Sequence, residues 1–156
     1  MALVRILVDG YSLLHKWPEV AEGKPRYSAE AREELVRVLT AYRDAIVTPI
    51  TIVFDGNRRD SRGASLESTP ELEIIYSRAG QTADQIIERV AHRMAPYGQV
   101  LAVTDDFAER DTVIALGGLA SSCDNFIRSI GDALGTVAED ITAYNQRERA
   151  RFQRRS

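Results

Sequence analysis

The sequence predicts an α/β fold in which helices cover both faces of a mostly parallel sheet. Short β-branched runs alternate with longer stretches of helical period, and right-handed crossovers leave few other arrangements for such an order. Most of these runs stop at an aspartate or a turn residue, so the chain leaves its strands at a common edge. With 156 residues, 44% hydrophobic and 28% charged, the chain has the size and balance of one domain.

Residues 3–8 (LVRILV) form an apolar run that stops at Asp9-Gly10 and reads as a buried strand. From Ser28, placed as an N-cap, residues Ala31, Leu35, Val38, Leu39, Tyr42 and Ile46 fall on one helical stripe, and Pro49 lies just past its end. Residues 50–54 (ITIVF) predict a second strand ending at Asp55-Gly56, and 72–76 (LEIIY) a third ending near Ser77. The loop between them, 56–70, carries Arg58, Arg59 and Arg62 amid Gly, Ser and Pro and is expected to be exposed. Thr82-Ala83-Asp84-Gln85 fits a capping box, and Ile86, Ile87, Val90, Ala91 and Met94 give the next helix its apolar face before Pro96. A fourth strand is expected over 99–104 (QVLAVT), ending on Asp105-Asp106, then a helix over 107–116 stopped by Gly117-Gly118. Ser122 caps a last helix through Leu134, and a fifth short strand is assigned to 136–144.

One cysteine, Cys123, and two histidines far apart, His15 and His92, exclude a disulfide framework and a structural zinc cluster. Cys123 reads as a small packing residue at a helix start. The first apolar run meets Asp9 well short of membrane-spanning length, so no signal peptide, transmembrane helix or membrane partner is expected and the location is expected to be cytoplasmic. Net charge is −3, yet residues 145–156 (NQRERARFQRRS) hold five arginines against one glutamate. A basic tail, 145–156, thus follows an acidic domain, 1–144, at −7. Lys16 and Lys24 are the only lysines, and the other 18 cations are arginines, the residue suited to bidentate phosphate contacts.

Asp9, Asp55 and Asp106, with Asp105 beside it, end three strands, and Asp84 opens a helix. The topology sends all of them to the rim where open α/β sheets bind ligands. Each alone has an ordinary use in a turn or a cap. Together, like charges in a partly buried cleft repel unless something cationic neutralises them. The set offers only oxygen ligands, which suits Mg²⁺ or Mn²⁺ better than zinc. Such a cluster suits phosphoryl-transfer chemistry, and the hydroxyls of Ser12, Ser77, Thr82 and Thr104 are candidates for positioning water or phosphate at the same rim.

The stretches ILVDGYSLL (6–14), IVFDG (52–56), SRAGQTADQIIERV (77–90) and VTDDFAER (103–110) resemble, in this order, the YacP-like NYN domain family, a bacterial branch of the PIN-like nucleases. The resemblance spans about residues 4–134. It implies a PIN-like three-layer α/β/α fold and a metal-dependent endoribonuclease. Relatives in this branch include a ribosome-associated enzyme that cuts messenger RNA during translation, which makes mRNA and the ribosome expected partners. Carried over by position, the family's acids fall on Asp9, Asp55, Asp84 and Asp106. Two departures are visible: Ser12 stands where the family usually has Asn, and Asp105 where it tends to have serine.

Rival readings lack residues they need. A receiver domain wants a late lysine and none follows Lys24; a haloacid dehalogenase-type phosphatase wants an aspartate where Tyr11 stands; no glycine-rich phosphate loop follows the first strand. The expected site therefore has Asp9, Asp84, Asp105 and Asp106, supported by Asp55, holding one or two Mg²⁺ or Mn²⁺ ions. Single-stranded RNA is expected to meet Ser12, Ser77, Thr82, Thr104, Arg58, Arg59, Arg62 and Arg78. The alternative is a non-catalytic RNA- or ribosome-binding module of the same fold, in which Tyr11, Trp17 or Tyr76 stack on unpaired bases.

Overall fold

The computed structural model describes residues 3–56, 68–135 and 149. Among these, five strands form one sheet: β1 (Leu3–Asp9), β2 (Ile50–Phe54), β3 (Leu72–Tyr76), β4 (Gln99–Val103) and β5 (Leu119–Ser121). Their order is β3-β2-β1-β4-β5 and every pairing is parallel. The helices are α1 (Gly10–Lys16), α2 (Ala29–Ile46), α3 (Ala83–Met94), α4 (Phe107–Ala115) and α5, over 123–135.

The two faces of the sheet sort by residue parity, as side chains on a strand must. Ile6, Val8, Ile52 and Phe54 face Leu13 of α1, Leu35 and Leu39 of α2, and Phe126 and Ile130 of α5. Leu7, Val53, Val100 and Ala102 face the other way, onto Ile86, Ile87 and Val90 of α3 and Val113 of α4. Both cores are apolar, which is why β2 is buried at every position and reads as an unbroken run in the sequence. The result is the predicted three-layer α/β/α arrangement. The predicted caps form too: Ser28 Oγ accepts the Ala31 N–H at 3.2 Å, and Thr82 and Gln85 make the reciprocal box.

Three features depart from the sequence reading. Asp9-Gly10, read as a turn, is instead the N-cap and first residue of α1, a helix of seven residues and too short to display a period. Glycine is required there because a Cβ on Gly10 would lie 2.3 Å from Cε1 of the buried Phe54. Arg32 interrupts the expected apolar stripe of α2 and is fully buried, donating to Tyr11 Oη at 3.2 Å and Tyr27 O at 2.9 Å. The fifth strand of the sheet is β5, whose three residues are recruited by pairing with Leu101–Val103. The strand assigned to 136–144, the basic tail 145–156 apart from Arg149, and Arg58, Arg59 and Arg62 lie outside the described residues.

The sheet order positions a crevice. The chain builds β1, β2 and β3 outward in one direction, then returns through α3 to place β4 on the other side of β1. Strand order reverses between β1 and β4, the place where such sheets bind ligands beyond their carboxyl ends. Among the described residues, no helix is long and apolar enough to cross a membrane.

Candidate active site

An open cavity of about 560 Å³ lies over this crevice, lined by Asp9, Asp55, Asp84, Asp105 and Asp106 together with Ser12, Thr82 and Thr104. The structure thus brings all of the sequence-predicted carboxylates to one cavity. Asp9 caps α1, its Oδ1 accepting the Ser12 N–H at 3.3 Å. Asp106 caps α4, with Oδ1 accepting from Ala108 N at 2.9 Å and Glu109 N at 3.3 Å. The ordinary capping use and the cleft position therefore coincide, because a helix N-terminus is where a carboxylate is best tolerated. Asp84, in the first turn of α3, is placed by the same logic.

Asp55 is held differently. Ser77 donates its hydroxyl to Asp55 Oδ1 at 3.2 Å and accepts the Gly56 N–H at 2.9 Å, locking the end of β2 to the end of β3. A Cβ on Gly56 would lie 2.0 Å from the Ser77 carbonyl oxygen, so glycine is needed for that approach. Ser77 is buried and positions Asp55 from behind; it is not among the residues lining the cavity. Arg78 also lies off the cavity, its backbone N–H donating to Gln81 Oε1 at 3.3 Å. Asp105 Oδ1 accepts the Cys123 N–H at 3.0 Å, which ties the loop after β4 to the start of α5. Cys123 is a packing residue, and its burial, with Asp105 nearby, pushes the thiol up to about 12.

One acid escaped the sequence reading. Glu109 is 2% exposed, and Thr104 donates its hydroxyl to Glu109 Oε2 at 3.1 Å. Burial, with the charge of nearby Asp84, pushes Glu109 up to about 9, which favours its protonated form, and its Oε1 is buried with no hydrogen-bond partner among the described residues. A signal was present: Asp106-Phe107-Ala108-Glu109 has capping-box spacing. In an ordinary box the glutamate returns to the N-cap N–H. Here Thr104 Oγ1 takes the Asp106 N–H at 3.0 Å, which releases Glu109 to turn inward. Asp9 is raised as well, chiefly by burial and further by the charges of Asp84 and Asp55, against the lowering effect of its Ser12 hydrogen bonds.

The same cavity is also lined by basic and aromatic residues: Tyr11, His15, Lys16, Arg26 and Tyr27. Arg26 lies over the Tyr27 ring at 4.5 Å, donates to the Tyr27 hydroxyl at 2.5 Å and pairs with His15 Nδ1. It makes no salt bridge among the described residues, and its Nε is buried without a hydrogen-bond partner. The unforeseen α1 carries Tyr11, His15 and Lys16 into this lining, and Arg26 and Tyr27 follow the 3₁₀ turn Pro18–Ala21. The aromatics named as base platforms also pack within the fold, Tyr11 buried and Trp17 and Tyr76 half-buried. Tyr11 is 6% exposed against Phe54, Tyr76 stacks on the same ring at 5.7 Å, and Trp17 packs against the core.

The donor set fits a hard divalent cation. Every acidic side chain in it offers oxygen, and burial, with neighbouring acids adding to it, raises both Asp9 and Glu109. Among the described residues, no three carboxylates are grouped closely enough to hold an ion unaided. By the chemistry of its donors alone, the set suits an oxygen-ligated cation such as Mg²⁺.

Residues 6–155 match the YacP-like NYN domain family. Uncharacterized protein YacP of Bacillus subtilis (strain 168) is 27% identical over 127 residues, covering 80% of this chain and 74% of that protein. The crystal structure of Rae1 (YacP) from Bacillus subtilis matches with a TM-score of 0.75 at 21% identity, over 96% of this chain and 85% of that one. A tryptophan-to-leucine mutant of it matches with the same TM-score over 92% of this chain and 85% of the other. Taken with the crevice and its carboxylates, these matches establish that the chain belongs to the YacP-like NYN domain family, whose fold is nuclease-like.

Proposed function

We propose that the chain is a divalent-metal-dependent endoribonuclease that hydrolyses phosphodiester bonds in single-stranded RNA, acting in the cytoplasm on messenger RNA at the ribosome. The observation that carries this reading is one open cavity whose lining brings five carboxylates together with Lys16, Arg26 and His15. Carboxylates and cationic side chains lining one open cleft suit a phosphodiester held between a cation site and phosphate-binding side chains.

Asp9, Asp84 and Asp106 would hold one or two Mg²⁺ or Mn²⁺ ions, with Asp55 in support and Asp105 at the edge. Such an ion supplies an activated water and neutralises charge on the leaving oxygen. Lys16 and Arg26 bind the phosphate oxygens, and Arg26 is already oriented by Tyr27 and His15. Ser12, beside Asp9, and Thr82 at the rim supply hydroxyls toward water or phosphate. Thr104 is committed to Glu109 and to the Asp106 N–H, and so acts by fixing those groups. Arg58, Arg59, Arg62 and the tail 145–156 are further candidates for phosphate contacts. The net charge of −3 does not oppose RNA binding, since bound metal adds charge that a formal count omits.

The test incubates 5′-labelled single-stranded RNA with wild type and with Asp9→Asn, in Mn²⁺, in Mg²⁺ and in EDTA. Metal-dependent internal cuts by the wild type alone are expected, with a loss on the order of 100-fold or more in the variant. Equal cutting by Asp9→Asn would overturn the assignment. Binding without cutting would favour the non-catalytic module, with Ser12→Asn as the variant to make next.

A further inference from the structure

On the β5 side of the carboxylates a second cavity of about 270 Å³ opens between α4 and the start of α5. It shares Thr104, Asp105 and Asp106 with the main cavity and adds Phe107, Arg110 and Asn125. Phe107 is the first residue of α4, directly after Asp106, and is 74% exposed. The fold does not use this ring: α4 buries only Glu109 and Val113. Arg110 lies along it, its guanidinium carbon 6.0 Å from the ring centroid, and makes no salt bridge among the described residues.

We infer that Phe107 is the stacking platform for an unpaired RNA base flanking the phosphate held at the carboxylates, and that Arg110 holds the adjacent phosphate. The inference rests on the nuclease reading above and deepens it by naming where the strand leaves the site. A large apolar ring left in water forgoes the burial that drives folding, which an occupant of the cavity restores. The surroundings select a base over a protein side chain. Hot spots of protein interfaces sit in apolar, desolvated surrounds. Phe107 is bordered by Asp106, Arg110 and Asn125, the charged and amide groups that meet the edge and phosphate of a nucleotide. Continuity with the main cavity through Asp105 and Asp106 puts that nucleotide next to the reacting one.

The experiment measures binding of a single-stranded oligoribonucleotide containing 2-aminopurine to full-length Asp9→Asn protein, by fluorescence at several salt concentrations, beside cleavage by the wild type. Adding Phe107→Ala should weaken binding about tenfold and abolish the stacking quench, while Phe107→Trp restores both. The salt slope should be unchanged by Phe107→Ala and reduced by about one by Arg110→Ala. Equal affinity and equal quench with alanine at 107, in a protein whose wild type cuts RNA, would overturn the platform and leave the nuclease reading standing. Unchanged RNA affinity with weakened ribosome binding would also overturn it, assigning the ring to a protein contact. A wild type that neither binds nor cuts RNA would overturn the nuclease reading and the platform with it.

Discussion

Thr104 donates its hydroxyl to Glu109 Oε2 at 3.1 Å, and this bond fixes a buried acid whose burial raises its proton affinity despite the donated hydrogen bond. The folded chain keeps a proton that the unfolded chain releases. Burial, with the Asp84 charge nearby, pushes Glu109 from an ordinary value of 4.5 up to about 9 in the folded chain. Between these values the native state binds more protons, so stability falls as pH rises through that window, by at most about 1.4 kcal/mol per pH unit. The contribution is fully present below the lower value and lost above the upper one. Glu109→Gln keeps an acceptor for Thr104, and it cannot ionise. Urea unfolding in EDTA across the window should show a falling curve for wild type and a flatter one for the variant. Parallel curves would remove Glu109 as the source.

Asp106 has two separable uses. Its Oδ1 caps α4 through Ala108 and Glu109, and the side chain lines the cavity. Asp106→Ala should cost about 1 kcal/mol of stability and abolish cleavage. Asp106→Asn should keep most of the stability, since asparagine caps as well as aspartate, and still lose cleavage. Retained cleavage in the asparagine variant would confine Asp106 to capping.

Gly56→Ala tests how Asp55 is positioned. The added methyl meets the Ser77 carbonyl oxygen, which is backbone and has little room to yield. The expected cost is about 1–3 kcal/mol, with loss of the Ser77 to Asp55 bond and lowered activity at the remaining fold. An unchanged melting temperature would show that β2 and β3 separate more easily than their hydrogen bonds imply.

Lys16 and Arg26 are cationic side chains lining the cavity. Replacing each with alanine should weaken RNA binding without regard to sequence and lower the salt slope by about one for every phosphate no longer neutralised. Stability should change little for exposed Lys16. Salt titration of RNA binding, with thermal unfolding beside it, checks both. An unaltered slope would move the phosphate path elsewhere.

The strands, the long helices and the carboxylates were legible because each is written in a local signal. ITIVF is apolar at every position but Thr51 because β2 is buried on both faces, and Ser28 and Thr82 stand where caps must stand. Asp9, Asp55, Asp84, Asp105 and Asp106 reach one rim because a parallel sheet carries every strand end to the same edge.

What only the tertiary structure decided depends on residues far apart in the chain. Gly10 admits α1 because Phe54 lies against it, and α1 in turn carries His15 and Lys16 into the cavity that the acids line. β5 is a strand because β4 pairs with it, and Arg32 is buried because Tyr11 and Tyr27 receive it. Glu109 has a capping residue's address in the sequence, yet Thr104 and Asp84, brought beside it by different elements, make it a buried acid. Periodicity and capping are properties of neighbours along the chain, whereas burial, proton affinity and the lining of one cavity arise only when the sheet has brought distant residues together.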